Sequence, residues 1–195
     1  MKKYISLLAL CGGVLVSSCN NDDDFTSNDP NAALDAPSCY DVYDGVKNYN
    51  TLFQPKNGWV GDPIPFYDNG KFYIYYLHDS RPAGDTFHPW YLATTSDFYS
   101  FEDKGEAIPC GEDNSQEDAL GTGSVIKHDG VYYAFYTAHN RNLDPNEKIY
   151  LATSTDLVTW EKKTDFSLQA SNNYDRNEFR DPYVYKDGNV FRMLV

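Results

Sequence analysis

Three stretches of the chain share one pattern of apolar and polar positions. Each is a run rich in Val, Ile, Tyr and Phe that breaks at an Asn-Gly or Asp-Gly and then resumes. The breaks are Asn69-Gly70, Asp129-Gly130 and Asp187-Gly188, with glycines 60 and 58 residues apart. Such dipeptides accept positive φ at both central positions of a two-residue turn, so each predicts an antiparallel hairpin. A second matching pair falls between the turns, Tyr91-Leu92-Ala93-Thr94-Thr95-Ser96-Asp97 and Tyr150-Leu151-Ala152-Thr153-Ser154-Thr155-Asp156, with their Asp residues 59 apart. Each unit therefore reads as a hairpin, a variable insertion, a third strand ending in a Ser/Thr-Asp turn, and a fourth strand opening at an aromatic, Phe101 or Trp160.

Four antiparallel strands repeating at about 60 residues predict an all-β protein built from β-propeller blades, lengthened by long mid-blade loops. Two blades and half of a third fit between Trp59 and Val195. A strand that stops there leaves an open edge, so the stretch reads as the leading part of a larger ring. A two-sheet β-sandwich would leave three equally spaced copies unexplained.

In a propeller the first strand of every blade lies innermost, and equivalent positions of those strands converge on one funnel. Asp62-Pro63 opens the first such strand and Asp181-Pro182 the third; Gly123 is expected at the matching place in the second, leaving room beside the acids. Two carboxylates converging on a concave aromatic site suit glycoside hydrolysis, in which one attacks or acts as base while another acid protonates the leaving oxygen. Asp before Pro is also a common turn former, and Asp29-Pro30 and Asp144-Pro145 occur here too. What sets Asp62 and Asp181 apart is their matched place in the repeat. Trp59 and Trp90 have the shape to stack on a sugar ring or, equally, to fill a core, whereas Trp160 reads as core.

Other chemistry finds no pattern. His78, His88, His128 and His139 lack metal-ligand spacing, and there is no Cys-x-x-Cys. Gly121-Thr122-Gly123-Ser124 opens a strand rather than a helix, which argues against a phosphate cradle or a nucleophile elbow. No metal and no cofactor are expected.

Composition adds the setting. The 16% aromatic content suits an aromatic all-β core. Lys2 and Lys3 precede an apolar run at residues 5–16, too short for the roughly 20 residues that span a bilayer. Val16-Ser17-Ser18-Cys19 follows and resembles a bacterial lipobox, in which the Cys carries lipid; an ordinary signal peptide is the alternative. The expected organisation is a signal peptide at 1–18, an acidic tether with Asp22-Asp23-Asp24 at 19–36, and propeller at 37–195, held to the cell envelope membrane through Cys19. Loss of Lys2 and Lys3 would carry the net charge from -13 to -15. So acidic a surface argues against nucleic acid and anionic membrane as partners and fits a neutral or cationic ligand. Cys39 and Cys110 would then remain, to pair or to stay free.

From Trp59 to Val195 these motifs resemble glycoside hydrolase family 32, the β-fructosidases. The family's Trp-Met-Asn-Asp-Pro-Asn-Gly is matched by Trp59-Val60-Gly61-Asp62-Pro63-Ile64-Pro65, which keeps Trp, Asp and Pro and loses both Asn. His78 stands where the family has a substrate-contacting Gln, and Trp90-Tyr91-Leu92-Ala93 lies at its Trp-Gly-His-Ala segment. Thr122-Gly123-Ser124 resembles its Ser-Gly-Ser, and Arg180-Asp181-Pro182 is its Arg-Asp-Pro intact. The resemblance implies a five-bladed propeller and a retaining hydrolase of oligo- or polysaccharides such as fructans, or of sucrose. It implies Asp62 as nucleophile, Asp181 as transition-state stabiliser assisted by Arg180, and Trp59, His78, Trp90 and Thr122 as substrate contacts. The family's general acid is a Glu on the fourth blade, which lies beyond Val195, so residues 37–195 alone are expected to be inactive. Family 43 arabinosidases and xylosidases, which invert, and a non-catalytic glycan-binding propeller are the alternatives.

Overall fold

In a computed structural model the described residues are 53–55, 58–80 and 87–195. Cys19, the tether at 19–36 and Cys39 lie outside them. Every regular element among the described residues is a strand. Strands β1 (Trp59–Asp68), β2 (Lys71–Asp79), β3 (Phe87–Thr95) and β4 (Glu102–Ile108) form one antiparallel sheet in that order. Strands β5 (Ala119–His128), β6 (Val131–His139), β7 (Glu147–Ser154) and β8 (Glu161–Lys162) form a second sheet of the same topology. A hairpin of β9 (Tyr183–Asp187) and β10 (Val190–Leu194) follows. These are two complete propeller blades and the inner hairpin of a third, and β5 packs against both β1 and β9.

The first two hairpins turn as their dipeptides require. Asn69 and Gly70 have φ of 50° and 80°, and Asp129 and Gly130 have 46° and 81°. The third does not. Asp187 pairs with Val190, so its loop is Gly188-Asn189, one residue later than expected, with Gly188 at φ 59°. Counted back from the three loops, the matching positions are Asp62, Thr122 and Asp181. Gly123 is therefore not the counterpart of the acids, and leaving room beside them is not its role. A Cβ on Gly123 would lie 1.9 Å from the Phe135 carbonyl oxygen and 2.8 Å from Tyr136 Cα. The β6 backbone, rather than the funnel, is what excludes a side chain there.

The two Ser/Thr-Asp turns repeat atom for atom. Asp97 Oδ1 accepts the N–H groups of Tyr99 and Ser100 at 2.9 and 2.8 Å, and Asp156 Oδ1 those of Val158 and Thr159 at 2.9 and 2.7 Å. These backbone donors hold both carboxyls below the usual range. Between the first two blades lies the core, with Tyr75, Trp90, Leu92, Leu120, Tyr136 and Leu157 buried. The Tyr75 hydroxyl crosses from one blade to the other and donates to the Leu157 carbonyl at 2.6 Å.

Candidate active site

Asp62 sits in a β-bulge. Gly61 faces Leu77 and Ile64 faces Tyr75, so Asp62 and Pro63 together oppose Tyr76. The extra residue bends the strand and turns the side chain away from the ladder. Asp62 has φ 26° and Asp181 φ 60°, positive values that few residues other than glycine adopt. Both carboxylates are exposed. Each stands at the start of an inner strand, and they are near enough for the charge of Asp62 to act on Asp181.

The second blade has its own bulge. Leu120 faces Ala138 and Gly123 faces Tyr136, so Gly121 and Thr122 oppose Thr137. Thr122 Oγ1 donates to Asp62 Oδ2 at 2.7 Å. The hydroxyl thus fills the slot between the two acids and orients one of them.

Arg180 spends its guanidinium on carboxylates. Nη1 donates to Glu147 Oε1 at 2.8 Å, Nη2 pairs with Glu178, and Nε lies 4.0 Å from Asp181 Oδ2. Glu147, 4% exposed, also has His139 Nδ1 3.6 Å from the same oxygen. The hydrogen bond that Arg180 donates to Glu147 pushes the Arg180 pKa up. Partial desolvation pushes the Asp181 carboxyl above the usual range although much of the side chain faces solvent; Arg180 opposes the shift, and the charges of Asp62 and Glu147 add to it.

Two of the residues expected at the substrate are buried among other side chains. Trp90 is fully buried, its ring beside Tyr75 and Tyr136, and its indole N–H donates to the Gly121 carbonyl at 2.9 Å. It supports the second bulge from beneath instead of meeting a sugar. His78 is 5% exposed, stacked on Tyr91 at 4.0 Å between ring centroids. The backbone of Gly58 lies over it, so close that a Cβ there would be 2.6 Å from His78 Nε2. Trp59, at 40% exposure, stands open three residues before Asp62. Trp160 packs edge-on against Tyr75 at 5.7 Å, partly buried at the edge of the core.

Glu147 and Thr137 carry much of the local geometry, and neither was singled out by motif. The one signal open to sequence was polarity: a Thr within the apolar run of β6 and a Glu at the start of β7.

The model of the glycosyl hydrolases family 32 N-terminal domain matches residues 53–195. A sucrose-6-phosphate hydrolase of Zymomonas mobilis is 28% identical over 149 residues, covering 72% of this chain and 28% of the relative. A 1,2-beta-oligomannan phosphorylase of a Thermoanaerobacter species is 31% identical over 122 residues, 57% of this chain and 41% of that protein. Among solved structures, the fructofuranosidase of Schwanniomyces occidentalis complexed with fructose is 25% identical with a TM-score of 0.56, over 72% of this chain and 30% of that one. The chain thus spans less than half the length of each of these proteins.

Proposed function

The chain belongs to glycosyl hydrolase family 32, and we propose that the intact protein is a retaining hydrolase of the β-fructosidic bonds of fructans or sucrose. The observation that carries this reading is the pair of exposed carboxylates, Asp62 and Asp181, brought together from separate inner strands at matched positions. Asp62 is the nucleophile. Thr122 holds its Oδ2, leaving Oδ1 to attack the anomeric carbon as the bond to the leaving oxygen breaks and that oxygen takes a proton from an acid. Water then cleaves the fructosyl ester, with retention after two displacements. Asp181 gathers sugar hydroxyls and offsets the positive charge of the oxocarbenium-like transition state, and Trp59 offers an open ring face at the rim. No glutamate around Arg180 is assigned as the acid, because Glu147 and Glu178 are both committed to that guanidinium.

Reducing-sugar release from inulin, levan, sucrose and arabinan, measured beside Asp62→Asn, tests the reading. Fructose release that falls by at least about 10³-fold in the variant is expected. Activity on arabinan alone, with an inverted anomer in early products, would assign the inverting alternative; binding without turnover would assign a glycan-binding propeller. On the strength of Val16-Ser17-Ser18-Cys19, we also propose that lipid on Cys19 anchors the protein in the cell envelope. Cys19→Ala should then move it from the membrane to the soluble fraction.

A further inference from the structure

The hydroxyl of Thr137 sits where the second and third blades meet. Thr137 is 2% exposed, near the end of β6. Its Oγ1 accepts the backbone N–H of Asp181 at 2.9 Å and donates to the carbonyl of Thr122 at 3.2 Å. Thr122 in turn donates to Asp62. We propose that Thr137 is a positioning residue that fixes the separation of the two acids through this one hydroxyl, a role that rests on the hydrolytic reading above.

Both backbone partners have reason to need it. The inner strands of neighbouring blades belong to separate sheets and share no ladder. Thr122 lies in the bulge opposite Thr137, where the ladder is interrupted. Asp181 precedes the first ladder pair of β9, Tyr183 with Leu194, and Pro182 between them has no N–H to donate. A hydroxyl brings one donor and two acceptor sites, enough to serve a carbonyl and an N–H together.

Neighbouring contacts brace the same joint. Ser124 Oγ accepts the N–H of Val184 at 2.9 Å, docking β9 a second time. Trp90 holds the other bulge residue through the Gly121 carbonyl. A Cβ on Gly121 would lie 2.9 Å from Thr137 Cβ, so glycine there is what allows Thr137 so close to the bulge. A threonine present only for its shape would be replaceable by valine, which matches its outline and lacks the hydroxyl.

The test uses the intact protein carrying Thr137→Val, Thr137→Ser or Ser124→Ala. A misplacement of about 1 Å in a reacting group costs on the order of 10²-fold in rate. Thr137→Val should therefore lower kcat on sucrose or inulin by about 10- to 100-fold with KM within about threefold, because Thr137 itself touches no sugar. Thr137→Ser should restore kcat to within about threefold of wild type. Ser124→Ala loosens the same strand three residues past Asp181 and controls for general weakening; its kcat should exceed that of the valine variant.

Amide hydrogen exchange supplies a readout independent of activity. The Asp181 amide should lose protection in Thr137→Val and keep it in Thr137→Ser, with the β6 amides unchanged. Wild-type protein that releases no sugar would sink the hydrolytic reading, and the tie between the blades would then be judged by this amide alone. Unchanged kcat in the valine variant, equal losses in valine and serine, or unchanged Asp181 protection would each overturn the proposal.

Discussion

The Asp181 carboxyl is held above the usual range because partial desolvation disfavours its charge more than Arg180 favours it, with Asp62 and Glu147 adding repulsion. Asp62→Asn removes one of those charges, so the Asp181 midpoint should move down toward the ordinary Asp value of about 3.9, as read by carbon-detected NMR of the carboxyl. A midpoint that stays put would mean the two acids do not sense each other. The same shift sets the sign of a stability effect. A carboxyl whose native pKa is raised contributes stability below its unfolded pKa, and loses that contribution as pH rises through the native value. Asp181→Asn should therefore raise the melting temperature slightly at pH 7 and not at pH 3, even as turnover falls. The effect is small because the side chain is 56% exposed and its charge is screened. Glu147 behaves differently. It is buried and accepts a hydrogen bond from Arg180 Nη1 at 2.8 Å. Glu147→Ala should cost about 1–3 kcal/mol in urea unfolding, and Glu147→Gln, which keeps an acceptor oxygen for Arg180, clearly less.

At the level of elements, two glycines in the second blade separate close packing from backbone conformation. Gly123 meets the backbone of β6 at distances no side chain tolerates, whereas Gly130 in the hairpin has open space around it and φ 81°. Gly130→Ala should cost about 1–2 kcal/mol of left-handed strain and leave a cooperative melt; Gly123→Ala should cost several times more or prevent folding. Equal melting temperatures for the two would refute the tight approach. The strands and the first two turns were legible because alternation and Asn-Gly or Asp-Gly act locally. The third turn was not, since Asp187-Gly188-Asn189 contains two overlapping two-residue turns and only the pairing of Asp187 with Val190 selects one. That single step set Gly123 rather than Thr122 opposite Asp181, although the first two turns by themselves match Thr122 with Asp62. Trp90, on β3, fills the core, one of the two places the sequence left open to it, while the burial of His78 was hidden for another reason. Tyr75, Tyr76, Leu77 and His78 are all buried, so β2 is covered on both faces and its alternation no longer says which way a side chain points. Asp62, Asp181 and Arg180 stand out in the sequence by their repeat and motif, while Thr137 and Glu147 make their contacts with residues 44 and 33 positions away.

Across the whole molecule, the core belongs to no single blade. Leu157 lies in the Ser/Thr-Asp turn of the second blade at φ 67° and is 1% exposed. Its carbonyl receives the hydroxyl of Tyr75 from the first blade. Phe98 occupies the same turn in the first blade at φ 58° and is 45% exposed, so the turn conformation does not itself require burial. What differs is the neighbouring sheet that covers Leu157. A hole at that position should therefore be felt on both sides of the joint. Leu157→Ala is expected to cost about 2–5 kcal/mol, the range for emptying a packed leucine site. Hydrogen exchange at matched denaturant should show β2 losing protection together with β7, because the missing methyl groups unsupport Tyr75 as much as the turn that carries them. If protection fell only between Ser154 and Thr159 while β2 kept its native rates, the two blades would be independent folding units. The funnel would then be a joint between separately stable parts, and the distance between Asp62 and Asp181 would depend on contacts such as the Thr137 hydroxyl rather than on a common core.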